Sequence, residues 1–115
     1  MKLYIYVESA ELEEIANPIE EALCDWVQAG KKRGEVVNKN DEETGERKLG
    51  LHFMAKVKFN LQDPVNFLNS LAKKHKCDFV VGYFDEDSRE PEDVCYFGYE
   101  EGRPDIHEIG SYLGL

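Results

Sequence analysis

The sequence lacks a hydrophobic run long enough to cross a membrane, and its few cysteines are scattered. No stretch of 18 or more consecutive apolar residues occurs. The apolar run Leu3–Val7 is too short and too rich in tyrosine for a signal peptide. Three cysteines, Cys24, Cys77 and Cys95, form neither a close pair nor an even set, which favours reduced thiols over a disulfide framework. We therefore expect a cytoplasmic protein without membrane contact.

Motifs that carry a known chemistry are also absent. There is no serine elbow, P-loop or GxGxxG pattern, and the histidines and cysteines do not form the close-spaced pairs of a zinc site. The acidic run that starts at Asp85 has Glu90 where a calcium loop requires glycine. Cys24 and Cys95 stand beside carboxylates, which raise the pKa of a thiol and oppose nucleophilic catalysis. We expect neither an enzyme nor a bound metal or cofactor.

Basic side chains are scarce, and their distribution is uneven. The chain has 24 acidic and 14 basic residues, which gives a net charge of −10. Residues 8–25 carry seven acids and no base, and residues 85–108 carry ten acids and two bases. Residues 31–58 instead carry eight bases against five acids. Such a field repels nucleic acid and anionic membranes and attracts a basic protein.

Hydrophobic periodicity predicts eight elements in the order β-α-β-β-α-β-β-α within one α+β domain spanning residues 1–115. Pro18 predicts a kink or a restart in the first helix, and Asp63 followed by Pro64 predicts the start of the second. Alternation from Leu49 to Phe59 predicts a long, half-buried strand. The predicted strands span residues 3–7, 33–38, 47–59, 79–84 and 94–99, and the predicted helices span 10–29, 64–76 and a short segment from Pro104.

The first six elements match the ferredoxin-like βαββαβ arrangement, in which two helices cover one face of an antiparallel sheet. The remaining strand and short helix are then C-terminal additions. We expect no second domain, because the sequence has no linker, internal repeat or low-complexity tract.

The region from Asp85 to Glu108 is the candidate partner-binding surface. Its carboxylates supply steering charge, and its aromatic rings are residue types that carry interface energy. The candidate contact residues are Asp85, Glu86, Asp87, Glu90, Glu92, Asp93, Tyr96, Tyr99, Glu100, Glu101 and Asp105.

The opposite face of the predicted sheet is an alternative site for a small ligand or an enzymatic reaction, with Tyr4, Tyr6 and His52 as its candidate residues. The same face also allows a different explanation, in which Tyr4, Tyr6 and Met54 pack under an extension of the fifth strand or under the terminal helix as a second small core. RNA binding by this face is disfavoured, because Met54 stands where base stacking requires a ring and the net charge is −10.

The small size, the acidic balance and the stretch Cys-Tyr-Phe-Gly-Tyr-Glu-Glu-Gly-Arg-Pro-Asp at 95–105 resemble small bacterial immunity proteins, such as those of contact-dependent growth inhibition. That resemblance implies a non-catalytic cytoplasmic protein that binds and neutralises a cognate toxin, often a basic nuclease. A third possibility is an acidic regulator of an RNA-processing enzyme.

Overall fold

The computed structural model describes residues 1–31 and 33–115 of the chain. These residues form one antiparallel sheet of five strands together with three α-helices, which confirms the α+β expectation. A short 3₁₀ helix at Lys58–Leu61 precedes the second α-helix. The elements in chain order are β1 (Lys2–Glu8), α1 (Leu12–Ala29), β2 (Glu35–Asn40), β3 (Arg47–Met54), α2 (Gln62–His75), β4 (Asp78–Phe84), β5 (Pro91–Gly98) and α3 (Ile106–Leu113).

The strand order across the sheet is β2-β3-β1-β4-β5, so β1 is central and β2 and β5 form the edges. β1 pairs antiparallel with β3 on one side, where Tyr4 faces His52, and with β4 on the other, where Tyr4 faces Gly82. A bulge interrupts the β4–β5 register beside Val81. The two ends of β1 point to opposite ends of the sheet, with Lys2 beside Met54 and Glu8 beside Asp78.

The main core lies between the sheet and the helices. Alternate residues of β1, namely Leu3, Ile5 and Val7, point into it because successive side chains in a strand face opposite sides. All three helices contribute to the same core, so the helices cover one face of the sheet. Its largest contributions from outside β1 are Ile19, Leu23, Leu49, Leu51, Leu61, Leu68, Phe79, Phe97, Ile109 and Leu113.

Pro18 does not divide the first helix, which corrects the sequence expectation of a restart there. α1 runs unbroken from Leu12 to Ala29, with buried Ala16 before the proline and buried Ile19 after it. An interior proline costs about 3 kcal/mol, whereas burying each large aliphatic side chain contributes about 1.5 to 3 kcal/mol. An apolar stripe that continues on both sides of the proline therefore outweighs its local cost.

β3 ends at Met54, five residues before the predicted boundary. The chain turns there because the Asn60 side-chain oxygen accepts hydrogen bonds from the backbone N–H groups of Lys56 (2.9 Å) and Val57 (3.1 Å). The 3₁₀ helix then leads directly into α2, which begins at Gln62. Consequently Val57 and Phe59, which alternation placed in the core, are 54% and 76% exposed.

The other element bounds differ less from the predictions. The first hairpin arm lies at Glu35–Asn40, two residues later than the alternation indicated. β5 begins at Pro91, so the last part of the segment predicted as a loop belongs to the strand. Gly30 ends α1, as its sequence position predicted.

The two hairpin loops share one hydrogen-bonding pattern. In each, an aspartate at the first position accepts two backbone N–H bonds through its Oδ1 atom, and the residue at the fifth position has a left-handed backbone. That residue is Gly45 in the β2–β3 loop (φ 75°) and Arg89 in the β4–β5 loop (φ 61°). Glycine adopts this conformation without strain, and arginine does not.

Replacing Arg89 with glycine should therefore raise the free energy of unfolding, by about 0.5 to 1 kcal/mol, because it removes the left-handed strain. Urea denaturation of the wild type and Arg89→Gly measures the change. Gly45→Arg is the matched control and should lower the same quantity by a similar amount. A destabilised Arg89→Gly variant would contradict the loop geometry.

Candidate protein-binding surface

The predicted contact residues lie along the edge strand β5 and beyond both of its ends. The loop before β5 carries Asp85, Glu86, Asp87 and Glu90 at the end of the sheet where β4 finishes. The acidic pair Glu100–Glu101 follows the other end of β5. A strand of eight residues is about 25 Å long, so these two acidic groups are well separated. They do not form one continuous patch.

Several of the predicted carboxylates have partners within the protein. The Tyr4 hydroxyl donates to Asp93, and the Tyr83 hydroxyl donates to Glu92 at 2.6 Å. Asp85 accepts the two backbone bonds of its own loop, and backbone bonding lowers the pKa of that carboxyl. Asp105 caps α3 by accepting from the Glu108 N–H at 3.1 Å. These groups have structural roles that the sequence did not reveal.

Five carboxylates surround a concavity at the end of the sheet where β1 finishes and β4 begins. The space has a volume of about 590 Å³. We call it the acidic concavity, and the carboxylates lining it are Glu8, Glu11, Asp78, Glu100 and Glu101, together with the ring of Tyr96 and one basic residue, Lys76.

Asp78 holds one wall of the acidic concavity in place. Its Oδ1 atom accepts hydrogen bonds from the backbone N–H groups of Glu100 (2.9 Å) and Glu101 (3.0 Å). The Tyr99 N–H donates to the Cys77 carbonyl at 3.1 Å and fixes the start of the same turn. Backbone fixed in this way presents the two glutamate side chains in a defined arrangement.

None of the carboxylates that line the acidic concavity forms an ion pair within the described residues, and Lys76 is the one base in the lining. Among the residues that the structure describes, the only ion pair within 4.0 Å joins Arg47 to Glu13, at 3.0 Å, and it lies outside the concavity. Tyr96 is 49% exposed. Its pKa is raised by partial burial and by Asp93, Glu8 and Glu101, which shows that several carboxylates act on the ring at once. The concavity therefore offers unpaired charge beside an accessible aromatic ring.

Three of the predicted contact residues, Tyr96, Glu100 and Glu101, line the acidic concavity, and Tyr99 lies next to them in the chain, 53% exposed. Sequence reasoning missed Glu8, Glu11 and Asp78. The signal that could have found them is the strand pairing: a central β1 next to β4 puts Glu8 opposite Asp78. The two acidic blocks of the sequence thus meet at one end of the sheet.

The alternative ligand face is closed at its tyrosines. Tyr4 and Tyr6 are buried and belong to a second small core with Val37 and Val80, against which Phe84 packs. The two phenol rings stack with their centroids 4.7 Å apart, and Tyr4 lies so close to Gly82 that a Cβ there would clash with its phenol. This face is therefore covered at its centre, and its tyrosines form the second small core that the sequence also allowed.

The terminal helix has no part in closing this face. Ile109 and Leu113 of α3 pack into the main core on the other side of the sheet. Met54, also expected to help form the second core, is 67% exposed. The sheet's own side chains, including Asp93 from β5, supply the cover.

His52 is the third member of that face and is bound to Tyr6. The Tyr6 hydroxyl lies 2.5 Å from His52 Nε2. Partial burial is the main cause that raises the pKa of Tyr6 to about 12, so the phenol is protonated and shares one hydrogen bond with Nε2. Burial, with the nearby Lys2, lowers the pKa of His52 to about 4. The imidazole is accordingly neutral at pH 7, with Nε2 already occupied.

Cys77 and Cys95 are protonated and poorly suited to nucleophilic chemistry. Burial, with Asp78 nearby, raises the pKa of Cys77 to about 11, and burial with Glu108 nearby does the same for Cys95. Across residues 1–31 and 33–115, no group of three or more histidine, cysteine, aspartate or glutamate side chains is arranged to hold a metal ion. Within the same residues, no helix has the length and apolar character needed to cross a membrane.

Searches against protein-family models, curated proteins and solved structures gave no match to this chain.

His52 should titrate near pH 4 in the folded protein, which an NMR titration of its ring protons measures directly. Because this pKa lies below the ordinary value of 6.5, the unfolded chain takes up a proton that the folded chain resists. The contribution of neutral His52 to stability is thus complete above pH 6.5 and is lost as the pH falls toward 4.

His52→Gln is the control for this pH dependence, since it removes the titrating group. Its free energy of unfolding should fall less than that of the wild type between pH 6.5 and pH 4. A folded-state pKa of 6.5 or higher for His52 would contradict the buried, neutral imidazole.

Proposed function

We propose that this protein is a non-catalytic inhibitor that binds a basic protein partner through the acidic concavity. One observation carries the proposal: five carboxylates from non-consecutive parts of the chain meet around a single concavity of about 590 Å³, beside an exposed tyrosine. Mutual repulsion among these groups opposes their assembly. Backbone N–H groups offset it at Asp78, and the described residues supply no ion pair within 4.0 Å to the other four carboxylates. A cationic partner would offset it.

The surface suits both stages of binding. A net charge of −10 accelerates encounter with a basic protein through long-range attraction. Within the concavity, a lysine or arginine of the partner has carboxylates to bond and the ring of Tyr96 on which to lie. Charge brings the partner in, and the fixed turn at Glu100 and Glu101 gives the contact its specificity.

An immunity protein of a toxin system is the specific form of this proposal. The general resemblance to small bacterial immunity proteins and the acidic surface support it together. A basic nuclease would be the partner, because its phosphate-binding cleft attracts the same carboxylates that mimic a nucleic-acid backbone. Such a protein would act in the cytoplasm of the cell that makes the toxin. An acidic regulator of an RNA-processing enzyme would use the same surface.

The alternative small-molecule or enzymatic role receives less support from the geometry. Tyr4, Tyr6 and His52 have their polar atoms bonded to one another or to Asp93, and both tyrosines are buried. A ligand would have to displace these contacts.

For the fold, we propose the ferredoxin-like class with an added strand and helix. The strand order β2-β3-β1-β4, antiparallel throughout, supports it, with β5 and α3 as the additions.

Reversing the charge of the concavity should weaken partner binding. We expect Glu100→Lys/Glu101→Lys to lower the affinity for a basic partner at least about tenfold, because close charge pairs at interfaces couple by roughly 1.5 kcal/mol or more. The partner is first captured from host lysate on the wild-type protein and retained through a high-salt wash. Its affinity for each purified variant is then measured by calorimetry.

Two variants with the same change in net charge serve as controls. Glu42→Lys/Glu43→Lys alters the exposed β2–β3 loop, and Glu86→Lys/Asp87→Lys alters the loop at the opposite end of β5. The affinity of both variants for the partner should stay within about threefold of the wild-type value. Salt screens long-range attraction, so a charge change away from the contact has little effect. Equal losses in all three variants would leave no role for the concavity, and a loss in the Glu86 variant alone would move the contact surface to that loop.

A further inference from the structure

A second concave surface lies at the opposite end of the sheet, where α1 ends and α2 begins. It is a hollow of about 250 Å³ lined by Trp26, Phe53, Met54, Phe59 and Pro64, with Lys31, Arg33, Asn60 and Asp63 also at its boundary. We call it the apolar hollow. The volume suits one large side chain rather than a whole small ligand.

Phe53 and Pro64 form the buried base of the hollow, and other apolar side chains at its edge are exposed. Met54 and Phe59 are 67% and 76% exposed, and Val57, from the same turn, is also exposed. These three residues fall within six positions of the sequence. Exposed apolar groups concentrated at one place indicate an interaction surface, whereas single scattered ones do not.

Trp26 forms a rigid wall of the hollow. Its ring stacks on Phe67, with centroids 4.8 Å apart and planes 5° from parallel. The Arg33 guanidinium carbon lies 4.7 Å from the centre of the Trp26 ring, and Arg33 donates to the Trp26 carbonyl at 3.0 Å. Tryptophan and arginine are the residue types most enriched among those that dominate interface energies. Because the Trp26 side chain is already fixed in the free protein, it loses little conformational entropy when a partner binds.

The charge around the hollow identifies the kind of partner. The lining of the hollow carries two cations, Lys31 and Arg33, against one carboxylate, Asp63. Among the described residues, Lys31, Arg33 and Lys56 have no carboxylate within 4.0 Å, since the only such pair is Arg47 with Glu13. The apolar centre of the hollow would bind an apolar side chain of a partner. The cations at its boundary would attract acidic residues next to that side chain in the partner's sequence.

We propose that the apolar hollow binds one large apolar side chain carried on an acidic segment of a partner protein. This surface and the acidic concavity lie at opposite ends of β1, so the two can be occupied together. The proposal does not rest on the inhibitor function, and it would survive the loss of that function.

A peptide titration tests it, with Trp26, the single tryptophan of the chain, as the fluorescent reporter. The probe is the end-blocked peptide DEFED, which places one phenylalanine among four carboxylates. Two comparison peptides are DEAED, which lacks the aromatic ring, and KKFKK, which reverses the charge. We expect a saturable change in Trp26 emission with DEFED and at least about tenfold weaker binding of either comparison peptide.

Phe59→Ala should weaken DEFED binding several-fold without unfolding the protein, because Phe59 is mostly exposed. Tyr112→Ala is the matched control: it removes another exposed aromatic ring, on α3, and should bind DEFED like the wild type. No saturable response, or equal binding of DEFED and DEAED, would overturn the proposal. So would sedimentation showing a dimer that Phe59→Ala dissociates, since a second copy would then occupy the hollow.

Discussion

Burial of the central strand on both of its faces is the constraint on which the rest of the structure depends. Five consecutive residues, Leu3 to Val7, are buried, although the helices cover only one face of the sheet. The other face must therefore be covered by side chains of the sheet itself. Tyr4 and Tyr6 stack there, and their hydroxyls bond to Asp93 and His52. This requirement explains why groups that suggest a ligand site are used for stability instead.

The same strand separates the two surfaces to which we assign binding. At its Glu8 end, three stretches of the chain bring carboxylates to the acidic concavity. At its Lys2 end, the early end of β3 leaves Met54 and Phe59 exposed beside unpaired cations. Carboxylates from both acidic blocks meet at one end of the sheet, and the exposed apolar side chains of the hollow lie at the other. We propose a partner of different chemistry for each of these two surfaces, one basic and one acidic.

Much of the fold follows from periodicity, because a half-buried strand and an amphipathic helix impose different spacings. Alternation identified β1 and the buried part of β3, and the three-and-four spacing of Ile15, Ile19 and Leu23 identified α1. Periodicity failed where hydrogen bonds to a single side chain determined the backbone conformation. Asn60 ends the extended region by bonding two backbone N–H groups, and nothing in the apolar pattern before Phe59 indicates that event.

The candidate site was predictable only in part for a related reason. A list of acidic residues along the chain includes Glu100 and Glu101, but it equally includes Asp93 and Asp105, which have partners inside the protein. Which carboxylates are free depends on tertiary contacts. Which of them converge depends on strand order, because Glu8 and Asp78 become neighbours only when β1 pairs with β4.

Hydrogen–deuterium exchange of the protein, alone and with its captured basic partner, tests the central claim most directly. If the partner occupies the acidic concavity, backbone amides at residues 8–11 and 96–102 should exchange more slowly in the complex, and those of the 85–90 loop should be unchanged. Protection confined to that loop, or to the residues around Trp26 and Phe59, would contradict the account.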